Sequence, residues 1–449
     1  MAFARAVSLA VCAALGLVMG PAAGPALAQD EPLLAAPSEY TDVIDAFDGE
    51  DAIDIQARIE FRSTFSSGTI QREVVNDDTT MTSNDGRYRD LLDHTGVRNE
   101  LQLGLEVGLY HDLMLFLGLP IVLSDDEELV LVDGRDCDEA GSACQELLEP
   151  TIDDDPMDDE DEQVLFTAGP RLLSEQRSGL PRVDLGLAFG VLNQYRGADA
   201  TWVLRATVAI PTAEAKKACI AGISCAPGLS DGILWLTLES RWSRRYRYVE
   251  PLLGIAHRFG FVASGDDTFQ ATLGDDATDL PTTTEASAGA AFVPWEDRMR
   301  HQRFSIELLG RAAYISEGRG MSPLFDALGT SPHSQLNPPG VIASERFTGV
   351  TTIGAHGRLG ADLMLVMKAA QYVRFTLGTE LGLLTDHLLT GADDCSSGSP
   401  RTLAPTQATA CEAAQISPLY RPVIDAPGQR FRLADALSVG LIARAQGQF

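Results

Sequence analysis

The last residues of the chain alternate in character with a period of two, up to Phe449. Phe449, Gly447, Ala445, Ala443, Leu441, Val439 and Leu437 share one side of that alternation. Gln448, Gln446, Arg444, Ile442, Gly440 and Ser438 share the other. Successive side chains of a strand point to opposite faces, so the pattern predicts a strand with one apolar and one largely polar face. About 13 residues at roughly 3.3 Å each, tilted near 45°, rise about 30 Å. That is enough to cross the apolar band of a membrane.

The other end agrees with export. Residues 1–5 are basic, 6–20 form an uncharged apolar run, and 21–28 are rich in small residues and close on Ala26, Leu27 and Ala28. This predicts a secretory signal peptide over 1–28, cleaved before Gln29 and taking Cys12 with it. No later stretch offers 18 uninterrupted apolar residues, so no transmembrane helix is predicted. The following residues, 29–52, are acidic without Lys or Arg and read as a periplasmic tail.

Charge excludes one class of partner. With 34 Lys+Arg against 64 Asp+Glu, the chain carries a net charge of −30 and has no basic patch for nucleic acid. Hydrophobic residues make up 45%, which suits a barrel with a wet interior better than a helical membrane protein. The six remaining cysteines fall in three local pairs, Cys137/Cys144, Cys219/Cys225 and Cys395/Cys411. Each pair lies within one polar segment, so three local disulfides are the favoured reading among 15 possible connectivities.

Strand-length alternation recurs along the chain at 53–61, 97–109, 113–124, 182–194, 201–211, 234–242, 248–261, 303–315, 354–368, 372–384 and 430–449. Tight turns and long loops separate these segments by turns. A barrel with both ends on one side needs an even number of strands, so a twelfth is expected between 317 and 352, with 341–350 the best candidate. A helical turn is predicted at 322–328. The fold class is therefore all-β: an antiparallel transmembrane β-barrel over 53–449 with about 12 strands, short periplasmic turns and long outer loops.

Two resemblances accompany this pattern. A final alternating strand ending on an aromatic residue resembles the closing strand of Gram-negative outer-membrane β-barrels, which implies that Phe449 serves as an assembly signal. Gly108, Leu109, Tyr110, His111, Asp112 and Leu113, running on to Gly118, Leu119 and Pro120, resemble a strand–turn–strand of outer-membrane transporters linked to the phenol meta-cleavage degradation pathway. Residues 178–187 resemble that family's strand opening, with Pro181 and Arg182 where Gly-Asp is usual. Residues 209–213 resemble its Pro-Thr-Gly strand ending, with Ala213 in place of Gly. The resemblance implies a barrel and a transport role, with outer-membrane lipid, lipopolysaccharide and the barrel-assembly machinery as partners. It carries over no catalytic residue, cofactor or substrate.

Opposite the apolar sets lie Arg58, Glu60, Arg62, Arg98, Glu100, Glu106, Arg205, Glu239, Arg241, Glu250, Arg258, Glu307, Arg311, Arg358, Asp362, Arg374, Glu380 and Arg444, the candidates for lining a lumen. Buried charges persist only when paired or hydrated. Either a narrow polar pore for small solutes or a salt-bridged, non-conducting interior satisfies that condition. The segment 125–162 holds about 18 acidic residues and one basic residue, Arg135. It reads as the start of a solvated outer loop extending to 181, with Asp153, Asp154, Asp155, Asp158 and Asp159 as weak divalent-cation candidates. Familiar nucleophile, metalloprotease and phosphate-loop motifs are missing, so no enzyme is expected, although a site assembled from distant strands would leave no motif.

Overall fold

The computed structural model describes residues 38–44, 54–73, 88–132, 165–166, 171–222, 225–263, 267–297, 299–337, 346–370, 372–395 and 416–448. Twelve strands form a closed antiparallel ring: β1 (Ile55–Glu73), β2 (Tyr88–Tyr110), β3 (Leu113–Leu131), β4 (Arg182–Leu192), β5 (Thr201–Pro211), β6 (Ile233–Ser243), β7 (Val249–Val262), β8 (Thr283–Asp297), β9 (Gln302–Ile315), β10 (His356–Ala370), β11 (Val373–Leu384) and β12 (Phe431–Gln448). β12 closes the ring against β1, from Gln56 opposite Gln448 to Arg72 opposite Phe431. Closure leaves no open sheet edge, as lipid requires.

Burial along the strands is inverted relative to a water-soluble sheet. Ile59, Leu187, Leu238, Leu308, Leu377 and Leu441 are 47–61% exposed, whereas Glu60, Glu307, Asp362 and Thr376 are buried. Apolar side chains therefore form an outer belt and polar ones the interior. Tyr110, Tyr246, Tyr248, Trp295 and Tyr372 are exposed near the short turns that join β2–β3, β6–β7, β8–β9 and β10–β11. They make an aromatic girdle of the kind that sits at a membrane interface.

β1, β2 and β3 contain 19, 23 and 19 residues, about twice the length needed to span an apolar band. Their pairing continues past the membrane because ladder hydrogen bonds need no apolar face. The extension takes β3 through Asp125, Glu127 and Glu128, so the acidic outer loop begins later than the sequence predicts. Against this raised wall packs a cap made by the long loops. Its core joins Ile70, Leu92, Leu129 and Phe431 from the strands with Leu165, Phe166, Leu324, Leu328, Phe347, Leu389 and Ile424 from the loops.

Eleven of the predicted strands lie on strands of the ring, and the twelfth is elsewhere. Residues 341–345 fall outside the described residues, and 346–350 form no strand. The missing strand is β8. Its outward residues are Thr284, Ala286, Ala288, Ala290 and Phe292, its inward ones Glu285, Ser287, Gly289 and Ala291. Small residues on both faces erase the contrast on which alternation depends. With β8 restored, the described residues 316–337 and 346–355 lie between β9 and β10 at the long-loop end; they contain a short antiparallel pair, Gly318–Gly320 with Thr351–Ile353, and α1 (Phe325–Gly329) close to the predicted helical turn.

Cys219 and Cys225 form a disulfide, and Cys395 is disulfide-bonded. Cys137, Cys144, Cys411, Phe449 and the acidic residues 153–159 lie outside the described residues.

Candidate functional site: the lumen and its inserted segment

Inside the ring the charged residues form a chain of ion pairs. Toward the long-loop end, Arg98 meets Glu100 at 3.0 Å and Asp125 at 3.3 Å, and Arg358 meets Glu285 at 2.8 Å. The Arg258 guanidinium stacks over Trp235 there at 3.9 Å. In the middle, Arg62 bridges Glu60 at 3.1 Å and Glu380 at 3.3 Å, and Arg311 bridges Asp362 and Glu380. Toward the short-turn end, Arg58 meets Glu106 at 3.5 Å, Arg241 meets Glu239, and Arg205 stacks over Phe116 at 3.7 Å. Most of these pairs cross one or two strands, whereas Arg98–Glu100, Arg62–Glu60 and Arg241–Glu239 join residues two apart on one strand.

The lumen residues read from sequence comprise ten arginines and eight carboxylates. The structure adds Asp125 and Glu285 from the wall and two more carboxylates, Glu39 and Asp42, from an unexpected place. Sequence reasoning puts the acidic stretch 29–52 outside the barrel as a periplasmic tail. Its described residues 38–44 instead lie within the lumen, where Arg374 and Arg444 hold its acids.

The segment is held along its whole described length. The Ser38 N–H donates to both carboxylate oxygens of Glu250, at 3.3 and 3.1 Å. A single 3-10 turn spans Glu39–Thr41. Glu39 is gripped by Arg444 Nη1 at 2.7 Å, by the Thr376 hydroxyl at 3.1 Å and by Arg374 Nη1 at 3.5 Å. Asp42 accepts from Arg374 Nη2 at 3.2 Å. The Tyr40 hydroxyl pairs with Ser287 Oγ at 2.6 Å, its carbonyl accepts from Arg241 at 3.2 Å, and Thr41 pairs with Ser243 at 2.7 Å. Ile44 ends the segment in an apolar pocket formed by Met114, Phe116, Ala188 and Val203. Burying that side chain contributes about 2 kcal/mol.

Gly254 makes the insertion possible. A Cβ at that position would lie 1.8 Å from the Tyr40 hydroxyl, so only glycine leaves the wall concave enough for the ring. Tyr40 then stands between two voids of about 280 and 200 Å³, and it borders both of them together with Arg241 and Leu309.

Sequence reasoning missed Glu39, Tyr40, Asp42, Thr376 and Gly254. Among the described residues no group of three His, Cys, Asp or Glu is arranged to hold a metal ion.

The closed ring, the apolar belt with its girdle and the ion-paired interior define a membrane-spanning β-barrel. No family model matches the sequence, and no curated protein matches it. Among solved structures, the chain is similar to an outer-membrane channel from Pseudomonas putida F1 at 11% identity, covering 92% of this chain and 99% of that one, with a TM-score of 0.40. It is similar to the outer-membrane protease OmpT from Escherichia coli at 7% identity, covering 88% and 97%, with a TM-score of 0.30. A Pseudomonas aeruginosa FadL homologue is similar at 8% identity, covering 88% and 90%, also with a TM-score of 0.30. Channel and protease both occur in this set, which assigns no activity.

Proposed function

We propose that this protein is an outer-membrane channel for small polar solutes, held closed by residues 38–44. The carrying observation is Tyr40, which stands as a partition between two voids while belonging to a segment outside the barrel wall. Short turns mark the periplasmic end of such barrels, so the segment occupies the periplasmic half. It is retained mainly by charge-assisted hydrogen bonds, which form and break without unfolding the wall. The resemblance of residues 108–120 and 178–187 to transporters of the phenol meta-cleavage pathway supports a transport role. The density of ion pairs favours a second reading, a non-conducting barrel whose interior is sealed by its own charges.

Planar-bilayer conductance separates the two. Wild type is expected to show small or infrequent openings. Deleting 38–44 should raise conductance severalfold, and Gly254→Ala should raise open probability by expelling Tyr40. Heat-modifiable gel mobility verifies that each variant folds. Folded variants that conduct no better than wild type would establish the sealed barrel instead.

A further inference from the structure

The groups that grip the inserted segment form a receptor with its own chemistry. We infer that Arg374, Arg444 and Thr376 are a binding site for a small dicarboxylate solute, and that Glu39 and Asp42 occupy it as a tethered competitor. The inference rests on the channel reading only for the route by which such a solute arrives.

Several features distinguish this site from an ordinary surface ion pair. The receptor groups belong to wall strands β11 and β12, while both carboxylates belong to the inserted segment, so the donors remain when the segment leaves. Arg374 serves two carboxylates at once, with Nη1 toward Glu39 at 3.5 Å and Nη2 donating to Asp42 at 3.2 Å. Arg444 is pre-oriented: its Nε donates to Glu60 at 2.7 Å, which turns Nη1 toward Glu39. Glu60 is only 2% exposed and is itself held by Arg62 at 3.1 Å. A guanidinium fixed in this way presents a planar fork matched to carboxylate, which a lysine cannot reproduce.

Charge and size narrow the ligand. Five arginines and five carboxylates line the larger void, and two of those carboxylates are Glu39 and Asp42. Without them Arg374 loses both of its ion pairs and Arg444 one of its two, so two guanidinium groups are left with open donors facing the void, which fits a ligand carrying two carboxylates. The void measures about 280 Å³, and Met114, Leu252 and Leu309 line it beside the charges. A few methylene groups between two carboxylates suit such a mixed lining.

Calorimetric titration of the full chain in detergent with succinate tests this, with succinamide as the uncharged control. Glu39→Gln/Asp42→Asn should bind succinate at least tenfold more tightly than wild type, because a tethered competitor acts at millimolar effective concentration. Gly254→Ala, whose Cβ displaces the Tyr40 hydroxyl and does not touch the receptor, should loosen the segment and also tighten binding. Adding Arg374→Lys/Arg444→Lys to the neutralised segment should weaken it at least tenfold, and succinamide should bind none of these proteins. Unchanged succinate affinity in both segment-releasing variants, indifference to the lysine substitutions, or equal binding of succinamide would overturn the site. Binding without conductance would retain the site and refute the channel; conductance without binding would do the reverse.

Discussion

Asp326→Ala should loosen the outer cap while leaving the barrel intact. Asp326 lies in α1 and takes two hydrogen bonds from Arg177, at 3.0 and 2.7 Å, and one from the Cys219 N–H at 2.9 Å. Arg177 comes from the short strand Arg177–Gly179 and also donates to the carbonyls of Lys217 and Pro227. One carboxylate thus ties together three long loops, those at 132–181, 212–232 and 316–355. The side chains of the pair are 2% and 11% exposed, so solvent screens it little. Removing one partner of such a pair costs about 3–5 kcal/mol, because the remaining charge stays buried without its counter-ion. At 1.4 kcal/mol per tenfold, cap amides should lose about a hundred- to several-thousandfold of their hydrogen-exchange protection. The Cys219 and Thr330 amides, which donate to the Asp326 carboxylate and carbonyl, are the probes. Amides in the middle of β9 to β11 should be unaffected. Arg177→Met/Asp326→Leu should restore much of the protection, since apolar groups of similar size replace a buried pair at little cost. A loss below tenfold in Asp326→Ala, or an equal loss in the barrel strands, would refute the cap as a separate unit pinned by this carboxylate.

Two other outcomes follow from the same coordinates. Burial pushes the Asp425 carboxyl up to about 6 from an ordinary 3.8, against the lowering effect of the Arg421 and Ala392 N–H groups that donate to it. A carboxyl raised in the fold favours the folded cap fully below about pH 4, and that contribution is lost as pH rises through about 6. Cap protection, corrected for intrinsic exchange, should therefore fall by up to about a hundredfold between those values, and Asp425→Asn should abolish the dependence; an unchanged slope in the variant would sink the assignment. Phe449→Asp should prevent accumulation of the heat-modifiable, protease-protected barrel, because the strand ending at Gln448 closes the ring against β1; normal assembly of that variant would remove the terminal-signal reading.

Alternation by itself determined most of the wall. Where one face is Leu, Val or Phe and the other carries polar and charged residues, as in β2, β11 and β12, period two specifies both the strand and which face meets lipid, because the two solvents differ so much. It failed at β8, where Ala, Ser and Gly stand on both faces, and only the ladders to β7 and β9 define the strand. It also missed the outer halves of β1 and β2, which leave the apolar band and lose the contrast. The cap became visible only when loops far apart in sequence met around Leu324 and Phe431. The inserted segment lay furthest beyond the sequence. Its acids and the lumen arginines are both plain to read, but Glu39 and Arg444 are separated by 405 positions. Their meeting depends on the closed ring setting β12 between β1 and β11, and on the hollow at Gly254 that admits Tyr40.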